Sequence, residues 1–280
     1  MFFVDTDGVL RYTVPVKKVK LMYDKHELIS AMEEVARECG KIIKGAKEEH
    51  VASAEKTNFR DLVTSYDVKV QATAVKLLSE RFPEAGFFCE ENDERGDLSG
   101  ECVFVIDPID GTANFANHMN ISCISIGCFS VGAPYAGAVF DPYNDEMYSA
   151  VRGLGAHLNG KDIHVTDLPL EHTLVMLGTS PYNLELFDRT LEKLKFIFPK
   201  CLDIRRRGAA ALDLCAVACG RAGLFFEEIL ALWDYAAGLV ILEEAGGKAY
   251  TMEGAPLPLD GRKSNIVAGS PRCIKESGLL

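Results

Sequence analysis

Val103-Phe104-Val105-Ile106-Asp107-Pro108-Ile109-Asp110-Gly111-Thr112 is the stretch on which the reading of this chain turns. Its apolar half reads as a buried strand that ends at Asp107. Pro108 disfavours the helical region for Asp107 and sets up a turn. Two carboxylates three residues apart then emerge at one strand end. Gly111 permits close approach of backbone to a ligand. The amides of Gly111 and Thr112, at what reads as a first helical turn, would suit a phosphate oxygen.

Two other acidic positions share this pattern. Phe87-Phe88-Cys89-Glu90-Glu91 is an apolar strand running into carboxylates, and Leu232-Trp233-Asp234-Tyr235-Ala236-Ala237-Gly238 puts an acid at a helix start. Hard divalent cations want oxygen ligands, and Mg²⁺ is usually held by a few carboxylates, waters and substrate phosphate. Three acidic element ends could supply that, but Asp-x-x-Asp-Gly also reads as a plain turn, since Asp and Gly are turn residues.

In order and spacing, five blocks resemble the inositol monophosphatase family: Asp61–Asp67, Glu90-Glu91, Asp107–Phe115, Gly153–Gly160 and Trp233–Gly238. The likeness covers about residues 24 to 276, and its most specific parts are Asp-Pro-Ile-Asp-Gly-Thr and the distant Trp-Asp-x-Ala-Ala-Gly. The resemblance implies an α/β (α+β) fold, a layered αβαβα sandwich of the kind shared with fructose-1,6-bisphosphatase. It also implies two or three Mg²⁺ ions, sensitivity to lithium and a homodimer. By the same resemblance Glu90, Asp107, the Ile109 carbonyl, Asp110 and Asp234 are metal ligands. Glu90 and Thr112, the latter supported by Asp67, prepare the attacking water. Asp110, Gly111, Thr112, the backbone at Ala210 and Glu227 contact substrate. Lys56 lies on a loop that closes over the site, or is simply a solvated loop lysine. Glu227 reads alternatively as a surface acid at a strand end.

Charge makes metal a physical requirement of this reading. The chain carries a net charge of −11, which disfavours nucleic acid and anionic membranes and would repel a phosphate ester. Clustered carboxylates raise one another's pKa, and bound cations would reverse the local sign.

The remaining composition is ordinary for a globular protein, 48% apolar and 25% charged in 280 residues. No apolar run is long enough to cross a bilayer, and the N-terminus lacks a secretory pattern. The nine cysteines are scattered, without CxxC spacing, which suits reduced thiols in a cytoplasm. Helices are expected over about 25–47, 67–81, 184–198, 209–222 and 233–245, with 50–61 a loop between the first two. Strands are expected over 86–89, 102–106, 121–131, 136–140, 147–151, 223–227, 248–252 and 266–269. The phosphatase domain spans 23–280, in approximate halves 23–165 and 166–280. Phe104 stands where many family members have Trp. Arg205-Arg206-Arg207 reads as a solvated strand edge or, less simply, as a phosphate-binding patch.

Residues 1–22 form an extension of unassigned role, readable as a hairpin around Asp7-Gly8. Phe2-Phe3-Val4-Asp5-Thr6-Asp7-Gly8 also resembles the first motif of haloacid-dehalogenase-type phosphatases, which would make Asp5 a nucleophile. The parallel α/β sheet and later motifs that such a domain needs do not follow. The function expected is therefore hydrolysis of a small phosphomonoester, myo-inositol monophosphate or a related sugar or polyol phosphate, by direct attack of metal-activated water. Fructose-1,6-bisphosphate, histidinol phosphate and 3′-phosphonucleotides are neighbouring substrates. A binding role beside the transcription machinery is the alternative of a different class.

Overall fold

The computed structural model describes residues 2–4, 10–12, 23–46, 53–56, 62–91, 96–181 and 183–280. Strands β1 (Phe2–Val4) and β2 (Leu10–Tyr12) pair antiparallel, with Phe3 opposite Arg11, so the expected terminal hairpin forms. Its Asp7-Gly8 turn and Asp5 lie outside the described residues.

Helix α1 (Lys25–Gly45) begins where Asp24 accepts from the amides of His26 and Glu27. Leu28, Met32, Val35, Ala36, Cys39 and Ile43 form its buried stripe, as the helical spacing requires. The polar segment after it is not wholly a loop: β3 (Ser53–Glu55) pairs antiparallel with β4 (Leu62–Thr64). Ser-Ala-Glu carries no strand signal of its own, so pairing with β4 decides it. Helix α2 (Ser65–Arg81) starts two residues before the expected position, because Thr64 and Asp67 form a reciprocal capping box.

A seven-stranded sheet follows, in the order β11-β10-β9-β8-β7-β6-β5. Its strands are β5 (Gly86–Cys89), β6 (Val103–Asp110), β7 (Cys123–Ser130), β8 (Ala133–Asp141), β9 (Glu146–Val151), β10 (Ala156–Leu158) and β11 (Lys161–Asp162). Only β5 and β6 run parallel; the other neighbours are antiparallel. Helix α3 (Thr112–Ala116) leaves the end of β6.

The second sheet has the order β13-β12-β14-β16-β15. It consists of β12 (Leu174–Leu177), β13 (Asp203–Arg205), β14 (Leu224–Leu230), β15 (Lys248–Tyr250) and β16 (Ser264–Gly269). Helices α4 (Phe187–Ile197), α5 (Ala210–Ala218), α6 (Leu232–Glu244) and α7 (Pro271–Ser277) belong to this half.

Strand periodicity sorts the side chains into layers. On β6 and β7, Phe104, Ile106, Ile124, Ile126 and Cys128 pack toward α1 and α2. Val103, Val105, Cys123 and Phe129 face the layer of α5 and α6. On β14, Phe225 joins that same central layer, whereas its neighbour Phe226 packs with Ile197 and Ile274 on the far side. The order is therefore α1α2, seven-stranded sheet, α5α6, five-stranded sheet, α4α7, which is the expected αβαβα sandwich. All nine cysteines are free thiols, most of them buried. Among the described residues no helix is long and apolar enough to cross a membrane.

Candidate metal and phosphate site

The acidic residues meet where β5, β6 and the start of α6 converge. The Glu90 amide donates to the Ile106 carbonyl at 3.1 Å, so parallel pairing sets Glu90 beside Asp107. β6 does not end at Asp107. It continues to Asp110 through a bulge, in which three steps along β6 match two along β7: Asp107 faces Ser125, and Asp110 faces Cys123. Pro108 has no N–H to give a ladder and is tolerated at such an irregularity. The bulge keeps both carboxylates buried at the same sheet end.

Gly111 then turns the chain with φ 88°. A Cβ there would lie 2.9 Å from the Ile121 carbonyl oxygen, so the position excludes side chains by contact as well as by conformation. Thr112 follows at the start of α3. Its hydroxyl lies 3.2 Å from Asp67 Oδ1 and 3.1 Å from the Ile109 carbonyl, with one proton to share between them. The other Asp67 oxygen accepts from the Thr64 amide and hydroxyl at 2.8 and 2.6 Å. The cap of α2 thereby fixes the group that fixes Thr112.

Asp110 has an unexpected second role. Helix α5 starts after Ala209, which has no side-chain cap to offer. The Asp110 carboxylate supplies it from across the fold, accepting from the Ala210 and Ala211 amides at 3.1 and 2.7 Å. These are first-turn amides without intrahelical partners. The backbone N–H at Ala210, expected to meet substrate, is thus engaged with Asp110. Burial raises the Asp110 pKa and the two amides oppose the rise, leaving it at about 6.

Asp107 is held well above the usual carboxylate range, first by burial and then by the charges of Glu90, Asp110 and Asp234. Its Oδ1 is buried without a hydrogen-bond partner. Asp234, in the first turn of α6, accepts from the Ala231 amide at 2.6 Å and is likewise raised by burial, Asp110 and Glu90. Among the described residues no group of three or more histidine, cysteine, aspartate or glutamate side chains is arranged to hold a metal ion. Glu90 is instead turned onto Lys56, whose ammonium lies 2.9 Å from it and 2.6 Å from Glu91. Burial alone would lower the Lys56 pKa, but the two carboxylates outweigh it and raise it. Lys56 is therefore not a freely solvated loop lysine.

An orphaned carboxylate oxygen among three further acids suits a hard cation, which prefers oxygen donors. Glu90, Asp107, Asp110, Asp234 and the Ile109 carbonyl fit such a group chemically.

Glu227 is not a surface acid. It is buried on β14, and its Oε1 accepts from the Ser180 amide and hydroxyl at 3.0 and 3.2 Å. Burial lifts its pKa to about 7 against those bonds. Gly178 makes room for it, since a Cβ there would lie 1.9 Å from Glu227 Oε2. Ser180 was missed by sequence reasoning, although Gly178-Thr179-Ser180-Pro181 is a turn signal after an apolar run. Arg207 was expected on a solvated edge or at phosphate. It instead pairs at 2.8 Å with Asp213, which is buried and raised to about 7 by that burial against the pull of Arg207. Arg205 does sit on the edge strand β13, paired locally with Asp203.

Relatives match this chain over most of its length. An inositol-1-monophosphatase of Synechocystis sp. is 35% identical over 206 residues, 73% of this chain and 72% of the relative. The Nus factor SuhB of Escherichia coli is 34% identical over 254 residues, 89% of this chain and 94% of the relative. The crystal structure of the suhB extragenic suppressor protein from Bartonella henselae superposes with a TM-score of 0.84 at 32% identity, covering 90% of this chain and 98% of that one. A sequence profile described as the inositol monophosphatase family matches residues 24–279, and the chain belongs to that family.

Proposed function

We propose that this protein hydrolyses a small phosphomonoester, of the sugar or polyol phosphate class, by direct attack of water with Mg²⁺ as cofactor. The observation that carries this reading is the Asp107 carboxyl, buried with one oxygen unpartnered and pressed by three other acids. Such a cluster is costly unless cations neutralise it. Glu90, Asp107, the Ile109 carbonyl, Asp110 and Asp234 are the residues that would hold Mg²⁺. When bound, the metal lowers the pKa of a water, orients the phosphate and neutralises the leaving oxygen.

The chain's own groups do the positioning. In this reading Asp67, rather than the Ile109 carbonyl, accepts the Thr112 proton, which turns the hydroxyl oxygen toward the attacking water. Glu90, once released from Lys56, would take the same water. The amides of Gly111, the N-cap of α3, and Thr112, its first residue, would take a phosphate oxygen. Glu227 has one oxygen held by Ser180 and offers the other to a substrate hydroxyl. A solved relative whose structure is described as inositol monophosphate-bound SaIMPase-II, with TM-score 0.77 and 28% identity, supports a polyol phosphate. The test is phosphate release from a panel of sugar, polyol, histidinol and nucleotide phosphomonoesters in Mg²⁺ and in chelator. Turnover that survives the chelator would sink the reading.

Lys56 makes a second expectation measurable. Its ammonium occupies Glu90, so a divalent cation must displace it. Lys56→Met should tighten Mg²⁺ binding several-fold by isothermal titration calorimetry, because a competing cation is gone. Weaker binding would show that the lysine supports the site instead.

A binding role beside the transcription machinery is the second reading. It is favoured by the Nus factor names of relatives that align over 94% of their length. Robust Mg²⁺-dependent turnover would not exclude it, so it needs its own test: co-sedimentation with purified transcription complexes.

A further inference from the structure

The Asn114 side chain crosses between the two halves of the chain. Its Nδ2 lies 2.8 Å from the Ile121 carbonyl, 2.8 Å from the Arg207 carbonyl and 3.3 Å from the Gly208 carbonyl. A carboxamide nitrogen carries two protons, so two bonds are direct and the third is shared. No other residue type of this size presents two donors from one nitrogen to converging carbonyls. Gly111 touches the same place independently: a Cβ there would lie 2.9 Å from the Ile121 oxygen and 3.2 Å from the Gly208 oxygen.

Two residues beyond Gly208 the chain reaches Ala210, where α5 begins with no cap of its own. Its first amides reach back to Asp110, the residue immediately before Gly111. The contacts thus close a ring: Asp110 to Asn114 along one segment, Arg207 to Ala211 along the other, joined at both ends.

We propose that Asn114 is a positioning residue whose carboxamide holds the Arg207–Gly208 turn against α3, and so keeps the first two amides of α5 on the Asp110 carboxylate. The structural part of this inference stands without the phosphatase reading. Its consequence for metal binding rests on that reading.

Amide exchange separates the two. The Ala210 and Ala211 N–H groups have no intrahelical acceptor, so their protection in the metal-free protein reports the Asp110 contact. Asn114→Ala should speed their exchange about tenfold or more relative to the Cys215–Ala218 amides of the same helix. Asn114→Ser, which keeps one donor, should fall between and serves if the alanine variant folds poorly. Asn117→Ala is the control, because among the described residues the Asn117 carboxamide bonds back to the Ala113 carbonyl of α3, and its loss should leave Ala210 unchanged. A general loss of stability would speed all α5 amides together. Uniform acceleration, or wild-type protection at Ala210 and Ala211, would overturn the proposal.

Calorimetric titration with Mg²⁺ alone reads the second part. Asn114→Ala should weaken binding about tenfold, since Asp110 loses its fixed orientation. Selective exchange at Ala210 with unchanged Mg²⁺ affinity would refute the link to the metal site. A wild-type protein that binds no Mg²⁺ would refute the phosphatase reading, and exchange would still decide the role of Asn114.

Discussion

Asp107→Asn should lower phosphate release by about 10³-fold or more, on the scale of several kcal/mol of lost metal stabilisation, and should at the same time stabilise the metal-free protein. The two effects have one cause. Asp107 is buried, has an unpartnered oxygen and faces Glu90, Asp110 and Asp234. With cations present its charge is a ligand; without them it is a liability. Because its pKa is raised on folding, the native state binds a proton that the unfolded chain has released above about pH 4. Its contribution to stability is therefore lost as pH rises from that value, and each pKa step costs about 1.4 kcal/mol. Asparagine keeps the shape and removes the charge.

The same sign applies to Asp110, raised to about 6, and to Glu227 and Asp213, each raised to about 7. In chelator, these groups should make the wild type lose stability between about pH 4 and 7, and Mg²⁺ should restore it most at the neutral end. Thermal unfolding from pH 5 to 8, with and without Mg²⁺, reads all of this. A metal-free Asp107→Asn variant that melts below the wild type at pH 7.5 would contradict the electrostatic account.

The layered fold was legible because its signals are local. The buried stripe of α1, the apolar run Val103–Ile106 and the Gly246-Gly247 stop after α6 each declare an element without help from elsewhere. β3 and the extension of β6 to Asp110 were not legible, since both depend on a partner strand supplying the pairing. The short strands β10 to β13 and helix α7 were also passed over, being too brief to show a period. In the site, acids at element ends could be named from motif spacing. Their mutual proximity could not, and neither could the contacts that hold them. The Asp110 cap on α5 joins residues 100 and 101 positions apart. Asn114 reaches 93 positions to Arg207. Arg207 read first as part of a solvated strand edge, because Asp213, its partner six residues on, is a helical position whose burial only packing reveals.

Gly137→Ala should be strongly damaging, costing about 2–3 kcal/mol and lowering Tm by roughly 5–10 °C. Gly137 on β8 lies directly opposite Gly127 on β7. Together they leave a flat seat on the central face of the sheet, and α6 rests its backbone there. A Cβ on Gly137 would lie 2.4 Å from the Ala237 carbonyl oxygen and 2.9 Å from its carbonyl carbon. These are main-chain atoms of a buried helix, so no side-chain rotation relieves the overlap. The helix must lift from the sheet, and Asp234 is three residues upstream of Ala237. Lifting draws Asp234 away from Asp107 and Asp110, so Mg²⁺ affinity should fall together with stability. Gly132→Ala supplies the comparison. Gly132 turns between β7 and β8 with φ 75° and nothing within 4 Å of a Cβ, so alanine there meets backbone strain without overlap. That change should cost about 1 kcal/mol and leave Mg²⁺ affinity unchanged. Equal melting temperatures for the two variants, or wild-type Mg²⁺ binding by Gly137→Ala, would show that α6 does not depend on the bare sheet surface to aim its aspartate.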